Sequence, residues 1–135
     1  MLCDLILIPT DRINLVWPTV APLIAAGMHK MDLSDFDVLT RELHKGAALL
    51  WVAFDGEQLK AAAATQVTIV HGRKHCTIIA LGGKDRRQWL PLIEGLEDYA
   101  RAQGCAAMRM FGRAGWSRTL PNYQIVGHII RRNLQ

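Results

Sequence analysis

One stretch of the sequence, residues 74–104, constrains the fold more than any other. It contains an apolar run at 76–81 that is typical of a buried strand, then Gly82 and Gly83, then a loop rich in basic residues. The residues that follow repeat apolar side chains at helical spacing: Trp89, Leu92, Ile93, Leu96 and Tyr99 or Ala100. A strand that leads into a helix N-terminus brings an anionic ligand to unpaired backbone N–H groups. The stretch therefore predicts a site for an anion such as pyrophosphate.

Pro91 decides where the helix in this stretch begins. If Asp85 capped the helix with Gln88 as its capping-box partner, Pro91 would fall inside the helix and break a hydrogen bond. A start near Gln88 instead places Pro91 in the first turn, where proline is tolerated. We therefore expect the later start, which leaves residues 84–87 as a basic loop, and an end at Gly104.

The rest of the chain has the pattern of a mixed α/β fold. Apolar patterns and turn residues predict strands at 5–8, 47–54, 59–70, 107–111 and 124–130. They also predict two helices, at 15–29 and 35–46. The first helix contains Pro18 and Pro22, and Ser34 precedes the second. Asp55-Gly56 predicts a hairpin turn. A helix between the strands at 76–81 and 107–111 predicts a parallel pair, whereas the three preceding strands form a meander. We expect one domain, residues 1–135, with a central mixed sheet and helices on both faces.

Composition excludes several classes of protein. No apolar run in the 135 residues is long enough to span a membrane. The N-terminus lacks a basic region before its short apolar run, so we interpret it as a strand and not as a signal peptide. Three scattered cysteines, Cys3, Cys76 and Cys105, indicate reduced thiols and a cytoplasmic protein.

The net charge of +4 is unevenly distributed. Residues 1–70 contain five Lys and Arg against eight Asp and Glu, whereas residues 71–135 contain eleven against four. The basic half favours an anionic partner, either a cofactor phosphate or a nucleic acid. For any one surface Lys or Arg, plain solvation is the commoner reason for its presence.

The order of these elements resembles the GCN5-related N-acetyltransferase (GNAT) superfamily over nearly the whole chain. The resemblance rests on the two early helices, the Asp55-Gly56 hairpin, the strand, loop and helix at 76–104, and the closing segment GRAGWSRTLPNYQ. The phrases GAALLWVA at 46–53 and GRAGW are similar to short members encoded by tailed phages. The resemblance implies the GNAT fold and acetyl-coenzyme A as cofactor.

In that superfamily the loop after the central strand reads Arg/Gln-x-x-Gly-x-Gly/Ala, and its backbone N–H groups bind pyrophosphate. Here Lys84 takes the place of the Arg or Gln, whereas Arg87 and Trp89 stand where glycine or alanine is usual. Side chains there obstruct a close backbone approach, so we expect Trp89 to point into the core and cations to hold the phosphates. The resemblance implies these cofactor-binding residues: Ala80, Leu81, Gly82, Gly83, Lys84, Arg86, Arg87, Gln88 and Trp89.

The resemblance also implies direct acetyl transfer to a neutral amine, with a base to remove the amine proton and a tyrosine to protonate the leaving thiolate. Tyr123 is the candidate acid, and the alternative is a tyrosine packed at a turn. His75 on the central strand is the candidate base, and the alternative is a surface or edge histidine. His71, His75 and Cys76 match no standard zinc spacing, so no metal is expected, and Cys76 and Cys105 fit small buried residues.

Three functions of different classes follow. The first is an acetyl-coenzyme A-dependent N-acetyltransferase acting on an unidentified amine in the cytoplasm, or in the host cytoplasm if the chain is phage-encoded. The second is a non-catalytic binding or structural module of the same fold. The third is a nucleic-acid-binding protein, which the acidic residues Glu94, Glu97 and Asp98 on the long helix disfavour. The apolar strand predicted at 124–130 also allows a homodimer.

Overall fold

Five strands form one mixed sheet in the computed structural model, which describes residues 3–28, 35–111, 116–120, 122–127 and 130–135. The strands are β1 (Asp4–Ile8), β2 (Leu49–Phe54), β3 (Leu59–Val70), β4 (Arg73–Gly83) and β5 (Ala107–Met110), and they lie in the order β1-β2-β3-β4-β5. The first four pair antiparallel, and β4 pairs parallel with β5. The predicted meander, the hairpin and the parallel pair are therefore confirmed.

The described helices are α1 (Ile13–Gly27), α2 (Phe36–Lys45), α3 (Arg86–Trp89), α4 (Ile93–Ala102) and α5 (Trp116–Thr119). Helix α1 runs through Pro18 and Pro22 without interruption. Asp35 caps α2, because its carboxylate accepts a hydrogen bond of 3.0 Å from the Val38 N–H, and Gly46 ends α2 in the left-handed conformation. Ser34, which precedes this cap, lies outside the described residues.

The two faces of the sheet carry different helices. We call the face that packs on α1 and α2 the α1 face; its core includes Leu50, Val52, Ala62 and Ala64 together with Val20 and Ile24 of α1. We call the other the α4 face; its core includes Trp51, Ala63 and Ile78 together with Leu96 of α4. Because neighbouring residues of a strand point to opposite faces, the buried alanine run 61–64 on β3 supplies small side chains to both. Helices thus cover both faces of the mixed sheet, as predicted.

Two sequence predictions about element bounds are wrong. The helical turn after the central strand begins at Arg86, not near Gln88, so Arg86 and Arg87 lie in α3 and only Lys84 and Asp85 of the predicted basic loop are outside a helix. Asp85 precedes it in a left-handed conformation and makes no capping bond with its side chain. Pro91 lacks an N–H group and lies in a 3₁₀ turn, Leu90–Leu92, which separates α3 from α4.

The strand predicted at 124–130 is also not observed. Residues 124–127 and 130, the part of this segment that the structure describes, form no strand. Val126 and Ile130 are 88% and 95% exposed, so these two of the apolar side chains that suggested a strand are not part of the core. An apolar pattern becomes a strand only where another strand satisfies its backbone hydrogen bonds.

Candidate functional site

Strand β4 loses its neighbour on one side halfway along its length. It pairs with β5 only from His75 to Ile78, and the last hydrogen bond between them joins the Phe111 N–H to the Ile78 carbonyl at 3.2 Å. From Ala80 to Gly83, β4 continues to pair with β3, but no strand in the described part of the chain covers its other side. Backbone groups that point to this open side are available to an extended ligand that carries amide groups.

A β-bulge lies at the same point. Ala64 is opposite Ala80 and Thr65 is opposite Ile78, so Ile79 is the extra residue on β4. A bulge bends its strand and re-aims the groups around it, which is why bulges recur beside active sites. The bulge and the end of β5 pairing together create an opening in the sheet at Ile79. Sequence reasoning missed this residue because an Ile within an apolar run carries no local signal for a bulge.

The basic loop that follows Gly83 is held in place by Lys60 of β3. The Lys60 carbonyl accepts a hydrogen bond of 2.8 Å from the Lys84 N–H, and the Lys60 ammonium donates one of 3.0 Å to the Asp85 carboxylate. This contact with Asp85 raises the pKa of Lys60. The Trp89 indole N–H donates to the Lys84 carbonyl at 2.8 Å from the other end of the loop. These bonds fix the backbone from which the basic side chains extend.

Three cations of the basic segment 84–87, which consists of the loop and the start of α3, are exposed to solvent. Within the part of the chain that the structure describes, Lys84, Arg86 and Arg87 form no ion pair with a carboxylate. The Arg86 guanidinium lies 5.4 Å from the ring centre of Trp116, which brings α5 against the loop. Uncompensated cations next to an open strand edge are suited to bind phosphate groups.

The two glycines that end β4 have a packing role. A Cβ on Gly82 would lie 2.2 Å from the Leu23 carbonyl oxygen of α1, and a Cβ on Gly83 would lie 2.5 Å from the Lys60 carbonyl oxygen. The backbone of the protein therefore occupies the space that a side chain at Gly82 or Gly83 would need. Any contribution of Gly82 and Gly83 to ligand binding comes from their N–H and C=O groups, not from a bare Cα surface.

The other predicted cofactor residues divide by burial. Ala80 belongs to the core on the α1 face, and Leu81 packs against the cores on the α4 face. Trp89 is 4% exposed and packs in the core, as the sequence predicted, so its ring is not available to a ligand. The Gln88 side chain is partly buried, and its Oε1 has no hydrogen-bond partner among the described residues.

The structure does not bring the two predicted catalytic residues together. The Tyr123 hydroxyl donates a 2.8 Å hydrogen bond to the Glu97 carboxylate of α4. Burial and this bond raise the pKa of Tyr123, so the phenol stays protonated at neutral pH. His75 alternates along β4 with Cys76, whose neighbours on the α4 side include Tyr99, and so it points to the α1 face. The catalytic roles of Tyr123 and His75 stay predictions.

The cysteines and the candidate metal ligands complete the inventory of reactive groups. Burial raises the pKa of the Cys76 thiol to about 11, and Cys105 is partly buried. In the described ranges, no three His, Cys, Asp or Glu side chains lie close enough together to hold a metal ion, so His71, His75 and Cys76 form no such group. None of the helices in these ranges is long and apolar enough to cross a membrane.

Solved structures similar to this chain include acetyltransferases. An aminoglycoside acetyltransferase from an uncultured soil metagenomic sample, solved with sisomicin, aligns over 98% of this chain and 97% of its own, with a TM-score of 0.71 and 13% identity. A ribosomal-protein-alanine N-acetyltransferase from Brucella melitensis biovar Abortus aligns over 98% and 100%, with a TM-score of 0.67 and 14% identity. A GNAT family acetyltransferase from Staphylococcus aureus aligns over 99% and 100%, with a TM-score of 0.67 and 12% identity.

These likenesses show the fold of the chain, which is the GNAT fold. No protein-family model matches the sequence, and the comparison with curated proteins gives no match.

Proposed function

We propose that this protein is an acetyl-coenzyme A-dependent N-acetyltransferase that transfers the acetyl group directly to an amine. The observation that carries the proposal is the opening at Ile79, where β4 bulges and loses its β5 partner, followed within a few residues by the exposed cations of the basic loop. The acetyltransferase neighbours of the same fold support it.

Each part of the site has a task in this proposal. The open edge of β4 from residue 79 to Gly83 pairs with the amide groups of the pantetheine arm, as an added strand would. The side chains of Lys84, Arg86 and Arg87 bind the phosphates, replacing the glycine-rich backbone cradle of the resembled family. A backbone N–H at the bulge polarises the thioester carbonyl.

The reaction forms one bond and breaks one. The neutral amine nitrogen bonds to the acetyl carbon while the carbon–sulfur bond breaks, the nitrogen loses a proton, and the thiolate gains one. His75 is proposed to accept the first proton and Tyr123 to supply the second. Tyr123 must leave its hydrogen bond with Glu97 to do so.

A thermal-stability measurement tests cofactor binding. Acetyl-coenzyme A at 100 times its dissociation constant is expected to add about 2.7 kcal/mol to the free energy of unfolding. The double variant Lys84→Ala with Arg87→Ala is expected to lose most of this gain, whereas Arg101→Ala, an exposed arginine of α4, keeps it. No stabilisation of the wild-type protein at millimolar acetyl-coenzyme A would refute the proposal.

A second candidate function is a non-catalytic module that binds coenzyme A without acetyl transfer. The hydrogen bond between Tyr123 and Glu97 favours this second function, because it engages the hydroxyl group of Tyr123, the candidate acid. One assay, which measures the release of free coenzyme A thiol, distinguishes the two functions. If acetyl-coenzyme A stabilises the wild-type protein but no amine causes thiol release, the protein is the non-catalytic module. The predicted cytoplasmic location, phage origin and homodimer remain part of either proposal.

A further inference from the structure

Three polar side chains lie side by side across β3, β4 and β5. Gln66 is opposite Thr77, and Thr77 is opposite Arg109. Ile78 belongs to the core on the α4 face, and Met108 packs against that core. Because Thr77 and Arg109 alternate with these residues along their strands, they point to the α1 face. This polar row crosses β4 two residues before the opening of the sheet at Ile79, on the same face as His75.

Two buried atoms beside this row have unused hydrogen-bonding capacity. Thr77 is only 3% exposed, and its Oγ1 has no hydrogen-bond partner among the described residues. His75, two residues earlier on the same strand, has a buried Nδ1 that also lacks a partner there. Buried polar atoms in proteins are nearly always paired, and an unpaired one destabilises the fold. Two unpaired atoms on one face of one strand are therefore available to hydrogen-bond with a ligand.

The charges beside these atoms indicate what kind of ligand fits. The Gln66 amide N–H groups donate to the Glu42 carboxylate at 3.3 Å and to the Ala47 carbonyl at 3.1 Å, so α2 and the adjoining loop hold this end of the row. At the other end, the Arg109 guanidinium lies 5.6 Å from the Phe111 ring centre and forms no ion pair within the described ranges. A guanidinium, a hydroxyl and an imidazole together are suited to a carboxylate.

We propose that Arg109, Thr77 and His75 bind a carboxylate carried by the acceptor, so that the amine acetylated here belongs to an acidic amino acid or peptide. The inference rests on the proposed acetyltransferase function and adds the class of its substrate. Arg109 is partly buried, and it moves onto the carboxylate when the acceptor reaches the Thr77 hydroxyl. The same cation repels a polycationic amine such as an aminoglycoside.

Binding of two matched peptides tests the inference. The probes are Ser-Glu-Glu-Ala and Ser-Lys-Lys-Ala, each with a free N-terminus and an amidated C-terminus, and free glutamate is a third probe that separates an amino-acid site from a peptide site. Each is titrated into the isotopically labelled protein with and without saturating coenzyme A. We expect the acidic peptide or glutamate to bind at least tenfold more tightly than the basic peptide, and Arg109→Glu to reverse the order.

Two further variants make the result decisive. Arg101→Glu makes the same charge change on α4, across the sheet, and is expected to leave the preference unchanged. Thr77→Val removes the unpaired hydroxyl and is expected to keep or raise the unfolding temperature while it weakens binding of the acidic probe severalfold. A less stable Thr77→Val protein with unchanged affinity, or no preference for acidic probes, would overturn the inference. Failure of coenzyme A to bind refutes the proposed function instead, because the peptide preference is also measured without it.

Discussion

Substitution of Gly82 by alanine tests whether this glycine is required for packing or for ligand binding. The added Cβ would lie 2.2 Å from the Leu23 carbonyl oxygen and 3.2 Å from the Gly27 nitrogen. Since carbon and carbonyl oxygen approach to about 3.3 Å, α1 must retreat from β4 by about 1 Å. Both colliding groups are backbone, so no side chain can rotate away. Val20 and Ile24, two of the fully buried residues of α1, then lose contact with the sheet.

We therefore expect Gly82→Ala to cost about 3 kcal/mol, the upper end of the usual range for overpacking, and to lower the unfolding temperature by about 10 °C. Urea unfolding without any ligand measures this cost. Gly127→Ala is the matched control, because a Cβ there meets nothing within 4 Å and the backbone is not left-handed. If Gly82→Ala is as stable as Gly127→Ala but binds acetyl-coenzyme A more weakly, the packing explanation is wrong.

Three other predictions address the loop and the buried hydrogen bonds. Lys60→Met releases Asp85 and is expected to weaken acetyl-coenzyme A binding severalfold in calorimetry; unchanged affinity would mean that backbone bonds alone hold the loop. Thr65→Val removes the acceptor of the buried 2.8 Å bond from the Trp51 indole N–H and is expected to cost about 1–3 kcal/mol in urea unfolding, and no loss would contradict the bond. Because the pKa of Tyr123 is raised on folding, the stability that its protonated form contributes is complete below about pH 10 and is lost at higher pH. Tyr123→Phe should flatten this alkaline loss, and an identical pH profile would exclude Tyr123 as its source.

Local signals in the sequence were sufficient for the architecture. Strands β2, β3 and β4 follow one another with short turns, and Asp55-Gly56 marks the hairpin between β2 and β3 directly. The helical pattern between β4 and β5 was enough to predict that these two strands are parallel. The burial of Trp89 followed from its place at the start of an apolar stripe. In each case the residues that decide the structure are close together in the chain.

The features that sequence reasoning did not find depend on distant partners. Asp85 adopts a left-handed conformation with its carboxylate on Lys60, 25 residues earlier, and the helical turn begins directly after it, earlier than the position of Pro91 suggested. Gly82 is needed for contact with Leu23 of α1, a helix far away in sequence. The row from Gln66 to Arg109 exists only because three strands meet in a particular register.

The short parallel pairing of β5 has a consequence for the dynamics of the protein. Among the described residues, four pairs, from His75–Ala107 to Ile78–Met110, join β5 to the sheet, whereas ten pairs join β3 to β4. Parallel pairing is also slightly weaker per residue, and proteins open first where few bonds hold a segment. We expect the amide hydrogens of β5 to exchange with solvent through local opening, well before those of β3. β5, which borders the opening at Ile79, is then the strand that separates most easily from the sheet. A ligand bound in the opening is therefore expected to slow amide hydrogen exchange first in β5.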